Sequence, residues 1–170
     1  MSASPITTSF PLQRIEAESP SDAADVRTLV DAAFGPGRFA KTAERLREAS
    51  MPIPGAALVA REGERVVGTV RLWPVEVAGE RMAFLGPLAV AGDRRRDGLG
   101  AQLIEAAFAA AEQAGCTGVL LVGDMPYFAR FGFTPAAIRL PGPVDPARVL
   151  ARMFAANSTP EGEVKAAAQV

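Results

Sequence analysis

The sequence contains no histidine. That absence removes Ser-His-Asp and Cys-His nucleophilic catalysis and the usual zinc sites, so no metal is expected. Cysteine occurs once, as Cys116, so an intramolecular disulfide is impossible and a reducing compartment is the natural setting. Without histidine to activate it, Cys116 reads as a small packed residue rather than a nucleophile. No apolar run, Ala106–Ala111 included, approaches the ~20 residues that span a bilayer. The opening MSASPITTSF has neither a basic start nor an apolar stretch and does not read as a signal peptide, so cytoplasm is the expected location. Charge of one sign is also missing. Lys and Arg total 18 against 19 Asp and Glu, for a net charge of −1, which points to neither nucleic acid nor a membrane as partner.

What is present is ordinary for a globular protein: 49% hydrophobic and 22% charged residues. At 170 residues the chain fits one domain and can bury ~70% of its unfolded surface without a disulfide or metal. The expected layout is a loose segment at 1–9, one domain over 10–156 and a tail at 157–170. Within that tail Glu163–Ala167 is a candidate last strand. A short first strand is expected at Leu12–Glu16. Ser19-Pro20-Ser21-Asp22 then supplies capping oxygens for a helix ending at Phe34, and a second helix is predicted from Phe39 to Ala49. Three β-rich runs follow, Ala56–Arg61, Arg65–Val77 and Met82–Val90. The short glycine-centred turns between them make the three runs an antiparallel meander. Gly68 and Pro74 predict a bulge or bend in the middle run.

Gly98 to Ala114 has the clearest helical spacing, and Thr117–Val122 reads as a strand buried on both faces. With Met82–Val90 they form one β-α-β unit. Asp124-Met125-Pro126 reads as a cap and proline opening a short helix through Phe131, and Ile138–Leu140 and Arg148–Phe154 are further candidate strands.

The turn into the long helix, Arg94-Arg95-Arg96-Asp97-Gly98-Leu99-Gly100, has the parts of a phosphate site. Its glycines let backbone N–H groups approach an anion, the helix start adds a positive dipole end, and arginine forks match phosphate oxygens. A P-loop would need Gly-Lys-Ser/Thr, and a Rossmann turn would follow a parallel first strand. Neither fits a turn that leaves an antiparallel meander.

Leu88-Ala89-Val90 followed by Arg95-Arg96-Asp97-Gly98-Leu99-Gly100 resembles the acetyl-CoA motif of the GNAT superfamily of N-acetyltransferases. Arg95, Gly98 and Gly100 match its Gln/Arg-x-x-Gly-x-Gly/Ala pattern. Tyr127-Phe128-Ala129-Arg130-Phe131-Gly132-Phe133 is similar to the superfamily's aromatic-Gly-Phe signature. Phe84 to Val90, with Gly123-Asp124, looks most like its predicted N-acetyltransferase group. The resemblance implies an α/β (α+β) fold with a mixed, mostly antiparallel central sheet, a splayed pair of parallel strands, and helices on both faces. It implies acetyl-CoA, or coenzyme A, as co-substrate, held by Leu88, Ala89, Val90, Arg95, Arg96, Asp97, Gly98, Leu99 and Gly100. It also implies transfer of an acetyl group to a primary amine, small-molecule or peptide, by direct attack, in a monomer or homodimer.

One position departs from that pattern. The tyrosine that protonates the leaving thiolate in relatives falls here at Phe128, with Tyr127 one residue earlier and turned by ~100° on a helix. Tyr127 is therefore a candidate general acid, with a packing or substrate-contacting ring as the other reading. Glu76, Glu80 and Asp124 are the carboxylates near enough in sequence to be weighed as a base, and none is assigned. Trp73 reads as a large packing or interface residue, with a lining of the acceptor pocket as the other reading. A second functional class stays open, a non-catalytic acyl-CoA-binding or regulatory module that kept the cofactor grip.

Overall fold

The computed structural model describes residues 13–34, 50–94, 98–155 and 158–167. The expected helix at Phe39–Ala49 lies outside them. The chain begins with β1 (Gln13–Ala17), a turn at Pro20–Asp22, and helix α1 (Ala23–Phe34). The meander follows as β2 (Ala57–Glu62), β3 (Arg65–Val77) and β4 (Glu80–Val90). Each hairpin closes on two residues. Ala78 and Gly79 both take positive φ, 51° and 80°, as a type I′ turn requires. Helix α2 (Leu99–Gln113), β5 (Gly118–Val122) and short helix α3 (Met125–Phe128) come next. The chain then adds β6 (Thr134–Pro135), β7 (Ile138–Arg139), β8 (Val149–Met153) and β9 (Gly162–Ala166).

The sheet order is β1-β2-β3-β4-β5-β8-β6, antiparallel except between β4 and β5. Strand β9 pairs with the free part of β3 at Val75–Val77 and with β7. Alternation along each strand sorts the apolar residues onto two faces. Leu58, Ala60, Val67 and Leu85 meet Leu99, Leu103, Ile104 and Ala107 of α2. Val59, Val66 and Ala89 meet Val26 and Val30 of α1 on the opposite face. The rest of that second face, including Trp73, Phe84 and Leu120, is closed by Ile138, Leu140 and Val164. Helices thus cover both faces, and the mixed sheet expected from the resemblance is present.

Gly68 marks the close approach of α2, because a Cβ there would stand 2.8 Å from Leu103 Cδ1. The β2–β3 register shifts beside it, as expected of an interior glycine. Pro74 behaves differently from expectation, since the register runs unshifted through its pairing with Ala83. Its missing N–H falls on the outer edge of β3 between Arg71, the last β3 residue paired with β2, and Val75, the first paired with β9, where no ladder bond is lost.

Candidate functional site

The β4–β5 ladder is short. Ala83 pairs with Val119 and Phe84 with Leu120, and beyond these β4 and β5 part. Arg81 C=O accepts from Thr117 N–H at 2.9 Å, so before the parting it is Arg81, Ala83 and Leu85 that direct their backbone groups toward β5. On the other side of β4, Leu72 pairs with Leu85 but Val70 pairs with Leu88, so Gly86 and Pro87 together oppose Arg71. This bulge moves the alternation by one residue. Further on, Ala91 N–H donates to Val67 C=O at 2.8 Å, which turns Ala91 and Ala89 toward β3. Leu88 and Val90 consequently direct their backbone groups into the gap that β5 has left. Ala89, 3% exposed, faces β3 with its backbone and α1 with its methyl.

From Val90 the chain turns through Gly92–Arg94 to the start of α2. Gly98 stands at the N-cap in the left-handed region (φ 75°, ψ 10°), a conformation that glycine takes without strain. Leu99 is fully buried in the core, while Gly100 is half-buried and faces Tyr127 and Val90. Arg95, Arg96 and Asp97 lie outside the described residues.

Arg94, the first of the arginine run, is committed to a carboxylate of the chain itself. Its Nε donates to Glu62 Oε2 at 2.7 Å, its Nη2 bonds the other carboxylate oxygen, and its Nη1 reaches Asp93 C=O at 3.3 Å. This guanidinium holds the Glu62 carboxyl below its ordinary range. Arg65 grips Asp93 with two bonds of 2.9 Å and holds that carboxyl at about 2. These pairs fasten the turn after β4 onto the β2–β3 hairpin. They join residues about thirty positions apart, which no local spacing reveals. Beside them, Asp25, Thr28, Leu29, Arg65, Val66 and Ala91 line an open groove of about 420 Å³.

The aromatic signature packs at the end of β5. Phe128 lies against Gly123, where a Cβ would stand 2.7 Å from Phe128 Cδ2, and meets the edges of Tyr127 and Phe133. Tyr127 turns the other way. Its hydroxyl oxygen is 2.8 Å from where a Cβ on Gly100 would be, so the phenol rests on the first turn of α2. The Arg130 guanidinium sits over the Tyr127 ring, 5.6 Å from its centroid.

Of the weighed carboxylates, Glu76 and Glu80 lie at the hairpin end of β3 and β4, where Glu80 accepts from Thr117 Oγ1 at 3.3 Å. Asp124 stands at the gap end, exposed, in the N-cap position of α3 but without the expected side-chain cap bond. Trp73 is 7% exposed, which fits packing rather than an open pocket wall, and its Nε1–H donates to Gly86 C=O at 2.6 Å. Cys116 is buried, and burial pushes its thiol up. Among the described residues no three of His, Cys, Asp or Glu cluster as metal ligands, and no helix is long and apolar enough to cross a membrane.

A parallel pair that parts, followed by a glycine-opened helix, is the arrangement that the resemblance to the GNAT superfamily implies. The model of the Acetyltransferase (GNAT) family matches residues 23–133, which contain all these elements. YhbS of Escherichia coli K12, described as an uncharacterized N-acetyltransferase, is 34% identical over 125 residues, covering 72% of this chain and 74% of its own. The similarly described YjhQ of the same strain is 32% identical over 121 residues, covering 69% and 67%. Among solved structures, E. coli YhbS in complex with CoA aligns with a TM-score of 0.75 at 29% identity, over 91% of this chain and 89% of that one. A Brucella melitensis GNAT acetyltransferase in complex with acetyl-CoA aligns at 0.69 and 29%, over 93% and 97%. The chain belongs to the GNAT acetyltransferase family.

Proposed function

We propose that the chain is an N-acetyltransferase that transfers an acetyl group from acetyl-CoA to a primary amine, small-molecule or peptide. The observation that carries this reading is the unpaired stretch of β4, where Leu88 and Val90 turn their backbone groups into the gap. An extended pantetheine arm offers amides that pair with such an edge as an added strand would. Ala89 keeps the register by bonding β3. Amides from Arg95 through Asp97 to Gly98, Leu99 and Gly100, with the α2 dipole behind them, hold the pyrophosphate, and Arg95 and Arg96 add charge. Two structures similar to this chain, at 29% identity each, hold CoA and acetyl-CoA, which supports the choice of ligand. Acetyl-CoA when bound supplies a thioester that the amine attacks directly, the C–N bond forming as the C–S bond breaks. The amine's proton leaves to water, which reprotonates the Tyr127 phenolate through solvent.

Tyr127 is the proton donor to the departing thiolate in this proposal. It is the single tyrosine of the chain, and Phe128 has no proton to give. The test is release of free CoA from acetyl-CoA with a panel of primary amines, for the wild type and Tyr127→Phe. Turnover with at least one amine is expected, and a loss of ~10²–10⁴ in kcat for the variant. No release with any amine, despite measurable CoA binding, rules out the transferase. An unchanged kcat in Tyr127→Phe rules out its role as donor.

A further inference from the structure

The presentation of Leu88 and Val90 depends on one feature, the bulge at Gly86-Pro87. Gly86 takes φ 150°, in a region that favours glycine, and its carbonyl leaves the β3–β4 ladder. Pro87 has no N–H to offer. The carbonyl is buried with its residue, so it needs a donor from elsewhere. Trp73 provides that donor through Nε1–H at 2.6 Å. The indole is itself fixed, since Trp73 pairs with Phe84 across the ladder and packs in the cluster containing Phe84, Leu120 and Ile138.

We infer that Trp73 is a positioning residue for coenzyme A: its indole N–H holds the Gly86 carbonyl and so fixes the bulge that turns Leu88 and Val90 into the gap. The inference rests on the reading that the cofactor lies along β4. Trp73 touches no reacting atom. Without its N–H, Gly86 C=O is left buried and unpaired, and the strand recovers a partner by closing the bulge. Closing it slips the strand by one residue, which presents Ala89 to the gap and turns Leu88 and Val90 back to β3.

Two replacements separate the bond from the packing. Trp73→Phe keeps an aromatic ring without the donor. Because Trp73 is the single tryptophan, biosynthetic replacement by 3-benzothienylalanine also keeps the bicyclic shape and puts sulfur where the N–H was. Calorimetric titration then uses two probes, CoA and adenosine 3′,5′-bisphosphate, which carries the nucleotide end of CoA but no pantetheine. We expect the benzothienyl protein to bind CoA about tenfold more weakly while its affinity for the bisphosphate is unchanged. Unchanged CoA affinity in both replaced proteins overturns the inference and leaves the cofactor reading intact. Equal weakening toward both probes also overturns it, because that marks a general structural role. A wild-type protein that fails to bind CoA overturns the underlying reading instead.

Discussion

Asp22 is the hub that ties α1 to the sheet, and replacing it with asparagine is expected to destabilise the protein in a pH-dependent way. The carboxylate is 4% exposed and accepts from Arg61 Nη2 at 2.5 Å, Ser19 N–H at 2.8 Å and Ser19 Oγ at 3.0 Å. Arg61 also bonds Glu16, so one guanidinium links β1, the turn and β2. The Arg61 bond first, and the Ser19 N–H second, hold the Asp22 carboxyl at about 2 rather than 3.8. At roughly 1.4 kcal/mol per pH unit, that depression contributes about 2 kcal/mol of stability at pH 7. A folded-state value below the unfolded one means the contribution is full above about pH 4 and is lost as pH falls toward 2. Asp22→Asn resembles the protonated acid, since it keeps an acceptor for the Ser19 N–H without the charge. Urea unfolding of both proteins should therefore differ by about 2 kcal/mol at pH 7, and the difference should close between pH 4 and pH 2. Comparing two proteins cancels the other depressed carboxyls, Glu62 and Asp93. A difference that stays constant down to pH 2, or one below about 0.5 kcal/mol at pH 7, refutes the reasoning.

Other outcomes follow from single residues. Cys116 is 6% exposed with a raised thiol, so a disulfide-exchange reagent at pH 8 should label it only after denaturant is added, and rapid stoichiometric labelling of the folded protein contradicts this. Gly98→Ala forces a side chain into φ 75° at the start of α2 and should cost about 1–2 kcal/mol in denaturant unfolding. Ala78→Asn creates an Asn-Gly turn at φ 51° and 80° and should raise stability by about 0.5 kcal/mol, where an unchanged or lower midpoint argues against strain at Ala78.

Much of the scaffold can be read in the chain because its punctuation is local. Gly63 and Gly79 bound β3, and its observed limits, Arg65 and Val77, are those the glycines mark. Strand β5 is legible for a similar reason: Gly-Val-Leu-Leu-Val is apolar throughout, and its first four residues are buried. Registers are less accessible. That Leu88 and Val90, rather than Ala89, face the gap depends on two residues opposing Arg71, and Gly86 alone signals a bulge without fixing its hand or length. Long-range pairing is hidden altogether. The arginine run reads as three equivalent cations, yet Arg94 is committed to Glu62 by the way the hairpin folds back. Trp73 and Gly86 are thirteen residues apart on different strands, so the indole's bond becomes visible only with the β3–β4 pairing in hand. The aromatic signature is readable as a motif, but the one-residue offset has a three-dimensional meaning: Phe128 closes on Gly123 while Tyr127 reaches Gly100.

The central claim, that coenzyme A lies along the open edge of β4 and ends on the start of α2, is tested most directly by titrating CoA into ¹⁵N-labelled protein and following each backbone amide. The amides of Leu88, Val90, Gly98 and Gly100 are expected to shift most, with Ala89 moving less because its backbone pairs with Thr69 of β3. Shifts concentrated instead around Asp25, Thr28 and Arg65, at the groove beside α1, or no shift at saturating CoA, contradict it.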